Sequence, residues 1–126
     1  MARVLIVDDS PSIRLLLIRR LEMEGHETVE APDGRRALSA LAEASGDGER
    51  PSVVLLDAML PDAAGAGSLR AMKAAHPDVP VLIISAVSGL AQDPEWSAAD
   101  GHLAKPIDFD DLLGRIETLT SAPPRP

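Results

Sequence analysis

The sequence predicts an α/β protein, a (βα)5 doubly wound sheet of five parallel strands, and three observations carry that prediction. Short apolar runs (Val4–Val7, Val53–Leu56, Pro80–Ser85) alternate with helix-length segments whose apolar residues recur every three or four positions. The runs are continuous rather than alternating, as expected of strands covered on both faces. Strand and helix take turns along the chain, which implies parallel strands joined by right-handed crossovers. The 126 residues show no internal repeat and suit one domain, placed at 1–120. The Pro-rich end, SAPPRP at 121–126, reads as a disordered tail or a truncated linker.

Val4–Val7 is the first strand. Ser10-Pro11 starts a helix, with Ser as N-cap and Pro at the first helical position. Ile13, Leu16, Leu17 and Leu21 follow at helical spacing, and Gly25 closes the segment. Glu27–Ala31 alternates weakly and is the second strand. Asp33-Gly34 precedes a helix over Arg35–Ala44 with Ala37, Leu38 and Leu41 inward, and Ser45–Ser52 is a turn-rich loop. Val53–Leu56 is the third strand, and Gly65–His76 a helix with Leu69 and Met72 inward. Pro80–Ser85 is the fourth strand. Gly89 and Pro94 weaken any helix between Ser88 and Ala99, so that segment is expected to be short or irregular, with Trp96 packed at its edge or offered to a partner. Gly101–Ala104 is the fifth strand. The last helix, Asp108–Leu119, turns Phe109, Leu112, Leu113 and Ile116 inward.

Composition excludes several classes. With no cysteine there is neither a disulfide framework nor a thiolate metal site. The apolar start is too short for a secretory signal, and no stretch approaches the about 20 apolar residues of a membrane span, so a cytoplasmic protein without membrane contact is expected. A net charge of −8, with basic residues scattered, argues against direct nucleic-acid binding. His26 and His76 have no partner at metal-ligand spacing and read as surface residues.

In a parallel sheet all strand C-termini share one edge, where open α/β sheets bind ligands. Asp8 and Asp9 follow the first strand, Asp57 ends the third, Ser85 ends the fourth, and Lys105-Pro106 follows the fifth. Three carboxylates against one lysine leave excess negative charge in a partly buried place, which raises carboxylate pKa values and costs stability. A hard divalent cation such as Mg²⁺ relieves it through oxygen ligands. A carboxylate is also a competent nucleophile towards phosphorus. Taken singly, each residue has a plainer reading: Asp8, Asp9 and Ser85 as caps, Asp57 as a turn residue, Lys105 as a surface lysine. Five of them at strand ends on one rim are harder to dismiss.

These residues resemble the receiver domain of two-component response regulators. VLIVDDS, LLDAMLPDAAG, VLIISA and HLAKPID appear in the same order and at the same intervals, from Arg3 to about Thr120. The resemblance implies strand order 2-1-3-4-5, a flavodoxin-like arrangement. It implies Asp57 as phosphoacceptor, and Asp8, Asp9, Asp57 and the Met59 backbone carbonyl as Mg²⁺ ligands. Lys105 would pair with a phosphoryl oxygen, with Ser85 and the Ala86 N–H donating to it, and Pro106 would follow a cis peptide bond. The donor would be a histidine kinase or histidine phosphotransfer protein, and the output partner is not specified. A homodimer is compatible with the family. The exposed side of the first helix often docks the kinase there, and Ile18 and Met23 are the candidates.

The chain departs from the family at a few places. His102 replaces the usual Tyr or Phe three residues before the lysine, where it is either a switch residue with pH-sensitive coupling or a half-exposed polar residue. Ala98-Ala99 replaces the usual Gly-Ala, and the Gly/Pro-containing segment falls where the family has its fourth helix. The expected function is a phosphorylation-dependent signalling module without turnover of an external substrate. Two competitors differ in class. A phosphatase with an aspartyl-phosphate intermediate fits poorly with adjacent Asp8-Asp9 and no cap insertion. A binding module that never accepts phosphate rests only on His102.

Overall fold

The computed structural model describes residues 2–44, 50–58, 65–86, 89 and 92–120. In chain order the elements are β1 (Arg3–Val7), α1 (Pro11–Met23), β2 (Glu27–Ala31), α2 (Gly34–Glu43), β3 (Val53–Asp57), α3 (Gly65–Ala75), β4 (Val81–Ser85), β5 (Gly101–Ala104) and α4 (Phe109–Thr120). The five strands form one parallel sheet in the order β2-β1-β3-β4-β5. The predicted (βα)5 class holds, with one local difference. Among the described residues the connection from β4 to β5 carries no α-helix; it includes a three-residue 3-10 turn, Pro94–Trp96. Gly89 has φ +81 there, and Asp93 caps the turn by accepting from the Glu95 N–H at 3.0 Å. Trp96 is buried rather than displayed.

Apolar runs become central strands because both faces are covered. Every residue of β3 and β4 is buried. On one face Leu5, Val7, Val54, Leu56 and Ile83 pack with Ala37 and Leu41 of α2, Leu69 and Met72 of α3, and Trp96. On the other face Ile6, Leu55, Leu82 and Ile84 pack with Leu17 and Leu21 of α1 and with Leu112 and Ile116 of α4. Side chains alternate across each strand, so one continuous run feeds two cores.

The helices start on the expected signals. Ser10 caps α1, its hydroxyl accepting from the Ile13 N–H at 3.4 Å, ahead of Pro11. Asp33 caps α2 through the Arg36 N–H at 2.8 Å. Gly25 has φ +89, a left-handed conformation suited to glycine just past the end of α1.

The reading of α1 needs correction. Leu16 is 49% exposed, as is Leu15, while Leu17 and Leu21 carry the burial. Leu17 and Leu21 lie one turn apart and face the sheet, whereas each step along a helix turns the side chain about 100°, carrying Leu16 off that face. Ile18, expected on the exposed side, packs against the core, and Met23 is the exposed residue of that pair.

Candidate functional site

Parallel pairing brings the ends of β1, β3, β4 and β5 to one edge. Asp57 is the last residue of β3 and is 4% exposed. Asp8 is equally buried, whereas Asp9 is exposed. Carboxylate oxygens of Asp8, Asp9 and Asp57 lie within 4.8 Å of one another. Lys105 Nζ stands 3.6 Å from Asp57 Oδ2, so one ammonium faces three carboxylates. Ser85 ends β4 and is buried, Ala86 beside it is exposed, and the Lys105–Pro106 peptide is cis. Met59 lies outside the described residues, as do Leu60, Pro61 and the proposed tail 121–126.

The local backbone aims this cluster. The Asp8 N–H donates to the Ala31 carbonyl at 3.2 Å, and Asp8 Oδ1 accepts from the Ser10 N–H at 2.8 Å. Burial, above all, pushes the Asp8 carboxyl above the ordinary range. The Ser10 N–H pulls it back, Asp57 pushes it up, Lys105 pulls it down and Asp9 pushes it up. Burial and like charge thus both oppose ionisation of Asp8. Compact oxygen donors with surplus negative charge suit a hard cation such as Mg²⁺.

Sequence-based prediction missed Arg14, whose guanidinium reaches the Asp8 carbonyl at 2.7 Å. His102 lies on β5 opposite Ile83, one residue short of the Asp57 neighbour Ile84. It is half-buried, and its Nε2 is buried with no hydrogen-bond partner among the described residues. Desolvation, then the nearby Arg115, holds its pKa below the usual histidine value. The Arg115 guanidinium donates to the His102 carbonyl at 2.8 Å. His26, expected at the surface, is half-buried, with Nδ1 accepting from the Ala2 N–H at 3.0 Å.

The family model described as "Response regulator receiver domain" matches residues 4–117. The chain belongs to that family. This receiver domain is 36% identical over 117 residues to sporulation initiation phosphotransferase F of Bacillus subtilis, covering 91% of this chain and 90% of that protein. It is 33% identical over 119 residues to response regulator MprA of Mycolicibacterium vanbaalenii, covering 93% of this chain. The chain spans about half the length (49%) of that relative. Among solved structures, the response regulator TrrA from Thermotoga maritima in complex with Mg(2+)-BeF superposes with a TM-score of 0.84 at 32% identity, over 94% of this chain and 99% of that one. TrrA in complex with the histidine kinase ThkA matches at a TM-score of 0.82 and 32% identity, over 94% and 98% of the two chains. The receiver domain is thus a two-component signalling module. No helix among its described residues is long and apolar enough to cross a membrane.

Proposed function

We propose that this receiver domain accepts one phosphoryl group on Asp57 from a phosphohistidine of a histidine kinase or histidine phosphotransfer protein, and that the modification changes which partner it binds. The observation that carries the reading is the buried Asp57 carboxylate at the end of β3, clustered with Asp8 and Asp9 and 3.6 Å from Lys105 Nζ. An Asp57 carboxylate oxygen forms the O–P bond as the P–N bond of the donor breaks; the departing imidazole keeps the electron pair and takes a proton. Lys105 meets one phosphoryl oxygen, and the Ser85 hydroxyl and the Ala86 N–H donate to the others. Asp8, Asp9, Asp57 and the Met59 carbonyl would hold Mg²⁺, which when bound neutralises charge on the phosphoryl oxygens. The rigid central strand holds Asp57 ready for attack. The TrrA structure with Mg(2+)-BeF supports the metal, and the ThkA–TrrA complex supports the class of donor.

A docking face for the donor lies beside the rim. Leu15, Leu16 and Met23 of α1 are exposed, and a mostly apolar cavity of about 280 Å³ lies between Ile13, Leu16, Pro106, Ile107 and Phe109, with Lys105 on its wall. Self-phosphorylation and slow loss of the group, rather than turnover of an external substrate, are the expected chemistry.

Intact mass after incubation with an acyl phosphate and Mg²⁺ tests the reading, with Asp57→Asn and a metal-free sample as controls. One added phosphoryl group that vanishes in both controls is the expected result. No adduct on a folded wild-type protein would overturn it in favour of a binding module that works without phosphorylation.

A further inference from the structure

Arg14 sits one turn into α1 and reaches back to the rim. Its Nη1 donates to the Asp8 carbonyl at 2.7 Å, and its Nε donates to Glu30 Oε1 at 2.8 Å. Its own backbone N–H donates to the Ser10 carbonyl at 3.0 Å, while the Ser10 N–H donates to Asp8 Oδ1. Asp8, Ser10 and Arg14 therefore close a ring of three hydrogen bonds. Glu30 is the neighbour of Ala31 on β2, and the Ala31 carbonyl takes the Asp8 N–H. The end of β2 thus grips both backbone polar groups of Asp8, one directly and one through Arg14.

We infer that Arg14, seated on Glu30, is a positioning residue that sets the direction of Asp9 by holding the Asp8–Asp9 peptide, and so tunes affinity for the divalent cation. The inference rests on the Mg²⁺-dependent reading above. Asp8 is fixed by its own side chain as well as its backbone. Asp9 is exposed and its carboxylate has no hydrogen-bond partner among the described residues. Its aim depends on the peptide plane before it, and Arg14 holds the carbonyl of that plane.

Helix stability does not explain the arginine. A cation near a helix N-terminus opposes the macrodipole, and the first turn of α1 has no acidic residue to offset it. Nor does the ion pair, since Glu30 is half exposed and such pairs contribute little. The Arg14 side chain is only 14% exposed, and its planar guanidinium serves two acceptors at once, the Asp8 carbonyl just past β1 and Glu30 on β2. Groups that orient a metal ligand from behind typically change affinity by about 10- to 100-fold when removed.

The test titrates MgCl2 calorimetrically into the wild-type chain, Arg14→Ala, Arg14→Lys and Glu30→Gln, and follows acyl-phosphate phosphorylation against Mg²⁺ concentration. Thermal melts confirm folding. Arg14→Ala should raise the Mg²⁺ Kd about tenfold or more, while its phosphorylation rate at saturating Mg²⁺ returns towards wild type. Arg14→Lys, which keeps the charge but not the planar fork that spans two acceptors, should lie between, as should Glu30→Gln. Should Arg14→Ala fail to fold, Arg14→Lys and Glu30→Gln decide the matter by the same comparison. Unchanged Mg²⁺ affinity in the folded variants overturns the inference and leaves the phosphoacceptor reading standing. A wild-type chain that binds no Mg²⁺ and gains no adduct overturns both.

Discussion

The two edges of the sheet treat charge in opposite ways. At the edge where the strands begin, charges are matched. Lys73 Nζ donates to the Pro77 and Val79 carbonyls and to Asp100 Oδ2, and the same Asp100 oxygen takes the Val81 N–H at 2.8 Å. Arg3 pairs with Glu27, and Arg50 with Asp78. At the edge where the strands end, Asp8, Asp9 and Asp57 crowd together with one lysine at 3.6 Å. The first edge ties elements together. The second keeps like charges together in a partly buried place, an arrangement that costs stability. Poor electrostatic satisfaction on an otherwise well-satisfied framework is therefore a pointer to function.

The largest effect should come from Asp57→Asn. The mass adduct is lost entirely, yet the protein melts no lower than wild type, because one of three like charges has gone; a clear fall in Tm would show that Asp57 supports the fold instead. At the opposite edge, Asp100→Ala strips Lys73 of a partner and leaves the Val81 N–H without an acceptor. It should cost about 2 kcal/mol in denaturant unfolding, allowing for partial exposure of Asp100. Mg²⁺ affinity should not change, and a parallel loss of it would join two edges that the comparison separates.

Asp8→Asn is the converse. Its folded-state pKa is raised, so its ionised form disfavours folding: the stability contribution is present below the unfolded-state pKa and lost as pH rises through the folded-state one. Without metal, the variant should be more stable than wild type at pH 7 by roughly 0.5–2 kcal/mol, and the advantage should shrink on acidification. Saturating Mg²⁺ should reverse the ranking, since binding at about 100 times Kd stabilises only the wild type, by about 2.7 kcal/mol. Equal melts with and without Mg²⁺ would argue against a metal site.

His102→Phe should act least. Because the folded-state pKa of His102 is lowered, its contribution is present above the unfolded-state pKa and lost as pH falls through the folded-state value. Wild type should therefore lose a little stability on acidification below about pH 6.5. Phe removes both that slope and the buried Nε2, which has no partner among the described residues, for a gain of up to about 1 kcal/mol. An unchanged acid slope would place the pH dependence on other groups.

Much of this was legible in the residues because it is local. Runs such as Val53–Leu56 announce buried strands, Ser10-Pro11 and Asp33-Gly34 announce helix starts, and Gly89 with Pro94 warns against a regular helix before β5. The acidic rim was legible too, since parallel strands must finish on one side. The first helix misled in part: Leu16 lies in an apolar cluster that is wider than the face the sheet can cover. Arg14 gave no signal, because its partners Asp8, just past β1, and Glu30, on β2, lie six and sixteen residues away.

By itself the sequence determined the α/β class, the element boundaries to within a residue or two, and which carboxylates meet at the strand ends, because periodicity, capping and the parity of parallel strands act over a few residues. Only the tertiary structure decided how close Lys105 stands to Asp57, that Trp96 is buried, that His102 Nε2 lacks a partner among the described residues and that Glu30 seats Arg14. Those outcomes depend on side chains from distant elements competing for the same space and the same hydrogen bonds, and that competition is settled only when the sheet and both helical layers close together.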